Sequence, residues 1–372
     1  MNRLLSKCVI WMLAAWVPVS ALFALPDSVR LTLPPYVYAV CGTSTALYFD
    51  NLVLSQTPES LRFTVVCDVK GTHEARRFSL TPAAGDAGEH PLTITVRDGN
   101  GIELGKASTI LRVAPADAGA GKALKLLIVG DSLTGASLYP TEIHRLMGSP
   151  GNPILTMLGT SGAAKAPIAH EGYGGWTWRS FLSQVVEKPG ATYRERTSPF
   201  LFVELGKTNL DLDRYFNQTL GGARPELVTF LLGINDCFGL GTKTGDPAAV
   251  DVGIDSVLSN ADRLVGAFRA ALPGATLGIG LTTPPNSREG AFVTNYKGAY
   301  HRWEWKLVQH RLVEKLIAKY GGREGEKLTL IPTELFIDPI DGYPVDNAVH
   351  PNNAGYRQIG TSFWCWMKWV LR

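Results

Sequence analysis

The stretch that decides the fold reads Lys125-Leu126-Leu127-Ile128-Val129-Gly130-Asp131-Ser132-Leu133-Thr134-Gly135. Residues 126–129 form a short, continuous apolar run, which is typical of a central strand in a parallel sheet covered on both faces. Gly130 permits a sharp turn, and the polar residues after it are types that begin helices. Ser132 is therefore expected at the carboxyl end of a strand, the edge where open α/β sheets bind ligands. This stretch alone leaves open whether Ser132 is a nucleophile or only caps a helix.

Strand and helix patterns alternate from this stretch to the end of the chain. The predicted strands are residues 124–129, 154–158, 227–232, 276–281 and 328–331. Helical patterns cover residues 251–272 and 300–320, and another begins at residue 353. This alternation predicts a three-layer α/β/α domain over residues 123–372, with a five-stranded, parallel, flavodoxin-like sheet.

A different pattern precedes that domain. Residues 25–115 contain short alternating runs rich in β-branched and aromatic residues, and Asp98-Gly99-Asn100-Gly101 is a tight-turn signal. These features predict an all-β, antiparallel sandwich. Residues 86–98 resemble the late strands of bacterial immunoglobulin-like domains. Residues 116–122 are small and lack periodicity, so we place the linker there.

The first 24 residues have the pattern of a secretory signal. Arg3 and Lys7 precede an apolar run that ends in small residues. An uncleaved membrane anchor is the alternative, although the run is short for a span and contains Pro18. We expect a secreted or periplasmic protein without stable membrane insertion. Loss of the two cations would lower the net charge from +3 to about +1, which gives no indication of nucleic-acid binding.

Four cysteines would remain after signal cleavage, in a compartment where disulfides persist. We favour a pair between Cys41 and Cys67, because both fall in the first domain, whereas Cys237 and Cys365 can equally be free, buried thiols. Their spacing contains no CxxC pair, so we predict no zinc site. We also expect no other metal and no cofactor.

Three further segments carry residues capable of chemistry. Asn235 follows the strand at residues 227–232, where its amide could donate to an oxyanion. Gly175, in Gly172-Tyr173-Gly174-Gly175-Trp176, could bring a backbone N–H close to a ligand, although the segment lacks the spacing of a dinucleotide-binding motif. His350 lies in a polar loop before the last helix and could be the general base that a serine hydroxyl needs. Each segment alone has a structural explanation as a turn or a solvated loop.

Together, in order and in spacing, these segments resemble the four blocks of the SGNH (GDSL-type) hydrolase family, over residues 124–372. The resemblance implies that Ser132 is the nucleophile and His350 the base. It also implies an oxyanion hole formed by the N–H of Ser132, the N–H of Gly175 and the amide of Asn235. Thr134 stands where the nucleophile elbow of ordinary α/β-hydrolases needs its second glycine.

The chain departs from the family pattern at one position. The family usually has an aspartate three residues before the histidine, where this chain has Asn347, with Asp346 one residue earlier. Either Asp346 reaches the imidazole through an altered loop, or a neutral group orients the ring and the site is a Ser–His dyad. We favour Asp346, because a histidine in the wrong tautomer loses orders of magnitude in related chemistry.

The resemblance implies an ester hydrolase, whereas the substrate must be argued separately. Aromatic residues flank the motif loops or the helix before the last strand, and aromatic faces suit sugar rings. They are Trp176, Trp178, Tyr296, Tyr300, Trp303 and Trp305. We expect removal of acyl groups, most simply acetyl, from a carbohydrate, with Trp176 and Asn347 as substrate contacts. The alternatives are a lysophospholipase or thioesterase, or a catalytically inactive glycan-binding protein.

Overall fold

The computed structural model describes residue 29 and residues 31–162, 167–187, 190, 195–240 and 247–372. The predicted signal segment, residues 1–24, lies outside these ranges. None of the helices within them combines the length and apolar character needed to cross a bilayer. The same ranges contain no group of three or more His, Cys, Asp or Glu side chains placed to hold a metal ion.

Seven strands precede the fold-deciding stretch. They are β1 (Tyr36–Val40), β2 (Thr45–Tyr48), β3 (Arg62–Val66), β4 (Gly71–His73), β5 (Arg77–Leu80), β6 (Gly88–Arg97) and β7 (Glu103–Ala114). They form a four-stranded sheet in the order β1-β7-β6-β3 and a three-stranded sheet in the order β2-β5-β4, which share one hydrophobic core. An all-β sandwich is therefore confirmed, and its likeness to immunoglobulin domains stays a prediction. One pair differs from the expected antiparallel pattern, because β1 pairs with β7 in parallel.

The remaining strands are β8 (Ala123–Gly130), β9 (Ile154–Leu158), β10 (Glu171–Gly172), β11 (Leu201–Glu204), β12 (Lys207–Leu210), β13 (Leu227–Leu231), β14 (Thr276–Gly280) and β15 (Leu328–Ile331). Five long strands form a parallel sheet in the order β9-β8-β13-β14-β15, and the two-residue β10 pairs with the end of β8. The predicted sheet is confirmed. Residues 126–129 are fully buried because β8 lies inside this sheet with helices on both faces.

The helices are α1 (Ser132–Gly135), α2 (Leu138–Met147), α3 (Trp178–Ser183), α4 (Leu212–Arg214), α5 (Ile234–Cys237), α6 (Pro247–Ala271), α7 (Glu289–Tyr296), α8 (Arg302–Tyr320), α9 (Thr333–Phe336) and α10 (Asn353–Val370). Helix α10 packs against α2, and α6 packs against α3 and α8. The side chain of Asn352 caps α10 by accepting hydrogen bonds from the N–H groups of Ala354 and Gly355.

The two parts of the chain share their cores. Leu335 and Phe336 in α9 are buried within the sandwich core, whereas Tyr38 and Val40 in β1 belong to the core around the parallel sheet. Residues 115–122, between β7 and β8, contain no helix or strand, and residues 116–121 form turns. A boundary there stays our proposal, and the mutual packing means that separating the two parts would expose apolar surface on both.

The favoured disulfide is absent, since Cys41 and Cys67 are free thiols. Cys41 directly follows β1 and Cys67 directly follows β3, which are the opposite edges of the four-stranded sheet. Three strand spacings separate these edges, about 14 Å. A disulfide requires Cα atoms within about 7 Å of each other, so this sheet order prevents the pair. Cys237 and Cys365 are also free, and both are buried.

Candidate active site

Three strand ends meet at Gly130. In the sheet register Gly130 lies opposite Leu231 of β13 on one side and Gly172 of β10 on the other. The N–H of Tyr173 continues this pairing, donating to the carbonyl of Gly130 over 3.0 Å. The segments that carry Ser132, Gly175 and Asn235 therefore leave the sheet side by side.

The glycines at this junction are required by close packing. A Cβ atom on Gly130 would lie 1.9 Å from Oγ1 of Thr134, and one on Gly172 would lie 2.6 Å from Cβ of the same threonine. Thr134 is fixed in turn by a hydrogen bond of 2.7 Å to the hydroxyl of Tyr139. Larger residues would push the start of α1, which carries Ser132, away from the sheet.

Ser132 is the first residue of α1. Asp131 is the N-cap, and its carboxylate accepts a hydrogen bond of 2.9 Å from the N–H of Leu133. The N–H of Ser132 has no acceptor within the helix, as is general for first-turn amides, so it can donate to a ligand. The hydroxyl of this half-buried serine lies 2.9 Å from Nε2 of His350, although the two residues are 218 positions apart. This distance is within the range of about 2.6–3.2 Å expected of a nucleophile and its base.

A turn presents Gly175 beside this pair. The N–H of Trp176 donates to the carbonyl of Tyr173 over 3.2 Å, and Gly175 has a φ of 75°, which favours glycine. The amide of Asn235 donates to the carbonyl of Trp176 over 2.9 Å. An amide nitrogen carries two hydrogens, so one remains for an oxyanion. The structure thus brings the Asn235 and Gly175 segments together at the strand ends that also carry Ser132.

The loop that carries His350 is held by two asparagines. Asn286 donates from its side chain to the carbonyls of Pro344 and Asn347, over 2.8 and 3.0 Å. Oδ1 of Asn347 accepts from the N–H of Val349 and of His350, over 3.2 and 3.0 Å. Asn347 therefore fixes the backbone of the proposed base. Asn286 was not identified in the sequence analysis. Its position shortly after the end of β14, at the same edge of the sheet as the motif residues, could have indicated it.

Asp346 does not lie where we expected it. Its side chain is exposed, and no hydrogen bond joins it to His350 in the described structure. Nδ1 of His350 has no hydrogen-bond partner among the described residues. The side chain of Asn347 bonds the loop backbone through Oδ1. It therefore does not bind the His350 ring, as an orienting residue would, and it does not face a substrate as we expected. The described residues therefore form a Ser–His dyad held by backbone contacts, and not the triad that we favoured.

This arrangement predicts that substitution of Asn347 affects activity more than substitution of Asp346, the residue that the sequence favoured. Asn347→Ala should lower kcat by about 10- to 100-fold, because a loosened loop misplaces the imidazole. Asp346→Ala should change kcat by less than about twofold, the usual outcome for an exposed side chain without partners. The conservative variant Asn347→Asp keeps the acceptor oxygen and should retain most activity. Steady-state kinetics on a small acetyl ester measures all three variants. If Asp346→Ala lowered kcat more than Asn347→Ala, Asp346 would be the third member of a catalytic triad.

Burial governs the proton affinity of the base. Desolvation lowers the pKa of His350 below its usual value of 6.5, because the imidazolium loses hydration that no carboxylate replaces. The ring is therefore neutral at pH 7 and can take the serine proton through Nε2 if its own proton is on Nδ1.

The acid limb of the pH profile should follow from this shift. Activity requires neutral His350, so kcat/KM should fall as the pH drops through the depressed pKa, with a midpoint below 6.5. The profile should be recorded with a small ester while circular dichroism monitors folding. A midpoint above 6.5 would mean that a different group controls the rate.

Two buried carboxyl groups lie behind the motif residues. Burial raises the pKa of Asp131 to about 7, and the nearby Asp236 adds to that shift. Burial also raises the pKa of Asp236 to about 7. Each has one carboxyl oxygen without a hydrogen-bond partner among the described residues. Partial protonation near pH 7 lessens the negative charge beside the proposed oxyanion hole, where an anion would oppose catalysis.

Three of the six aromatic residues near the motif loops are core residues, and Trp303, Tyr296 and Tyr300 are half-buried. The side chain of Trp176 is only 1% exposed and packs on Tyr173, with ring centroids 4.4 Å apart. Trp178 and Trp305 are equally buried. The expectation that Trp176 contacts substrate is therefore wrong, because its ring fills the space beneath the Gly175 turn. Tyr296 and Tyr300 are half-buried and pack edge-on around Phe238, three residues after Asn235.

The chain was also compared with known protein families and known protein sequences. The sequence model of the GDSL-like Lipase/Acylhydrolase family matches residues 128–358, which include Ser132, Gly175, Asn235 and His350. No curated protein sequence is detectably similar to the chain.

Several solved structures are similar at low identity. An aryl esterase of M. smegmatis, solved in an inhibitor-bound form, is 14% identical, with a TM-score of 0.35 over 67% of this chain and 100% of that one. A lipase from a goat rumen metagenome is 13% identical, with a TM-score of 0.33 over 65% of this chain and 96% of that one. A gut microbial diltiazem-metabolizing enzyme is 15% identical, with a TM-score of 0.41 over 65% of this chain; the match spans 46% of that enzyme's length.

Proposed function

Because this chain belongs to the GDSL-like lipase/acylhydrolase family, we propose that it is a secreted or periplasmic serine esterase that removes O-acetyl groups from a carbohydrate. Family membership makes the chain an acyl hydrolase of the esterase and lipase class. The observation that carries the serine mechanism is the 2.9 Å contact between Oγ of Ser132 and Nε2 of His350.

The reaction proceeds in two halves. Oγ of Ser132 attacks the ester carbonyl while its proton passes to Nε2 of His350. The carbonyl oxygen becomes an oxyanion stabilised by the N–H groups of Ser132 and Gly175 and by the amide of Asn235. Collapse breaks the bond to the alcohol oxygen, which takes the proton from His350. A water molecule then gives a proton to His350 and attacks the acyl-enzyme carbonyl. Collapse breaks the bond to Oγ of Ser132, which takes the proton back from His350 as the carboxylic acid leaves.

The surroundings of Ser132 support a short acyl group. An open cavity of about 320 Å³ adjoins the serine, and most of its lining residues are glycine, alanine or serine. A lipid substrate would need a long apolar channel. Outside this cavity, the half-buried rings of Tyr296 and Tyr300 pack around Phe238, three residues after Asn235, and such rings suit the apolar faces of a sugar.

Two sets of substrates test this proposal. With para-nitrophenyl esters of increasing acyl length, kcat/KM should be highest for acetate and should fall with each longer chain. With acetylated glycans, the purified protein should release acetate. A rise in activity with acyl length would favour a lysophospholipase or thioesterase instead. A folded protein that hydrolyses none of these esters would favour the inactive, glycan-binding alternative.

A further inference from the structure

The cavity beside Ser132 is lined in part by a charged side chain, that of Arg196, which has no role in the proposed mechanism. Its lining includes Gly135, Ser161, Tyr173, Gly174 and Arg196. Among the described residues of this lining, Arg196 is the one that carries a charge, and none of them is acidic. The small residues leave space for a ligand between the nucleophile and the guanidinium group.

Arg196 has no carboxylate partner in the described structure. Its side chain is exposed, and its recorded contact is with the ring of Tyr173, 5.9 Å from the guanidinium carbon to the ring centroid. This distance is at the limit for a cation–π interaction, so the ring contributes little to holding the arginine. The carboxylate of the neighbouring Glu195 lies against Gly190.

The buried carboxylate of Glu171 also has its hydrogen bonds from residues other than Arg196. Glu171 lies behind Tyr173, and its carboxylate accepts hydrogen bonds from the hydroxyls of Tyr173 and Tyr215. Thr160 donates two more, from its N–H over 2.7 Å and from its hydroxyl over 2.9 Å. These four donors fill the capacity of the carboxylate, which is fully buried. Arg196 therefore offers its donors to the cavity and not to the protein.

We propose that Arg196 forms an anion subsite beside Ser132, which selects ester substrates with a negative charge on the alcohol portion. The inference rests on the proposed esterase function and narrows its substrate to an acidic carbohydrate. The charge belongs to the sugar because an acetyl group carries none. A guanidinium group binds carboxylate or sulfate through paired, charge-assisted hydrogen bonds, which a neutral sugar cannot offer.

The test compares two small esters that differ in charge. Para-acetoxybenzoate is anionic at about pH 7, and its methyl ester is neutral. Arg196→Gln should lower kcat/KM for the anionic ester by about tenfold more than for the methyl ester, the effect of one charge-assisted contact at an exposed site. Arg196→Lys should retain part of the preference, because it keeps the charge. Arg62→Gln removes an exposed arginine from β3 in the sandwich and should leave both rates unchanged. Added salt should weaken the reaction of the anionic ester selectively.

Binding separates this inference from the proposed function. In a Ser132→Ala background, calorimetry should show para-acetoxybenzoate bound at least about tenfold more weakly when Arg196→Gln is added. Equal losses for both esters, or unchanged binding of the anion, would overturn the anion subsite. Absence of hydrolysis with charge-dependent binding intact would instead contradict the esterase function. On polymers, the Arg196→Gln loss should be larger for acetylated polygalacturonate than for acetylated xylan.

Discussion

Ser132→Ala is expected to abolish ester hydrolysis while leaving the protein folded. The hydroxyl is the atom that attacks the carbonyl, and no neighbouring side chain occupies the same position against Nε2 of His350. We expect kcat/KM to fall by at least about 10⁴-fold, as for removal of the nucleophile in related enzymes. Release of para-nitrophenol from its acetate ester measures the loss.

Two controls make this result specific. Ser259→Ala changes an exposed serine on α6 and should leave the rate unchanged. A serine-directed phosphonate should add one adduct to the wild-type protein, and none to Ser132→Ala, as read by mass spectrometry. Substantial activity in folded Ser132→Ala would overturn the assignment of the whole site.

Asn235→Ala should have the second-largest effect, a loss of about 10²–10³ in kcat with little change in KM. One hydrogen of its amide donates to Trp176, and the other is available to the oxyanion, which exists only after attack. The substitution therefore removes an interaction of the transition state and also loosens the Gly175 turn. Initial rates measured over ester concentrations from well below KM to saturation separate kcat from KM.

Asn260→Ala is the matched control for this variant. Asn260 lies on α6 and also donates from its side chain to a backbone carbonyl, that of Ser256, over 3.0 Å. Its loss removes the same kind of hydrogen bond away from the site. If Asn235→Ala raised KM and left kcat intact, the amide would bind the ground state and would not be an oxyanion donor.

The packing of the sandwich against the α/β part of the chain suggests a structural role for the sandwich. It supplies no residue to the proposed chemistry, yet Leu335 and Phe336, in the chain between β15 and His350, are buried in its core. The carboxyl group of Glu334 beside them is also buried, which raises its pKa to about 8. The sandwich therefore covers the segment that leads into the histidine loop, and this packing is a physical reason for the two parts to occur in one chain.

Local sequence determined the elements and the motif residues. Short, largely apolar runs identified all five long strands of the sheet, and turn residues placed Ser132 and Asn235 after strands, because these signals depend on neighbours a few positions apart. The order of the motifs was enough to indicate the family. The same information could not say which of Asp346 and Asn347 supports His350, because that depends on how the loop turns.

Only the tertiary structure decided the contacts between distant segments. The approach of Ser132 to His350 depends on the fold, which brings the turn after β8 to the loop before α10. The burial of Trp176 depends on the aromatic residues that pack beneath its turn. The sheet order placed Cys41 and Cys67 on opposite edges, which spacing along the chain cannot reveal. Arg196 lies in a segment without a motif, so only the fold shows that it lines the same cavity as Ser132. The sequence gives the charge of a side chain, whereas packing decides which groups lie beside it.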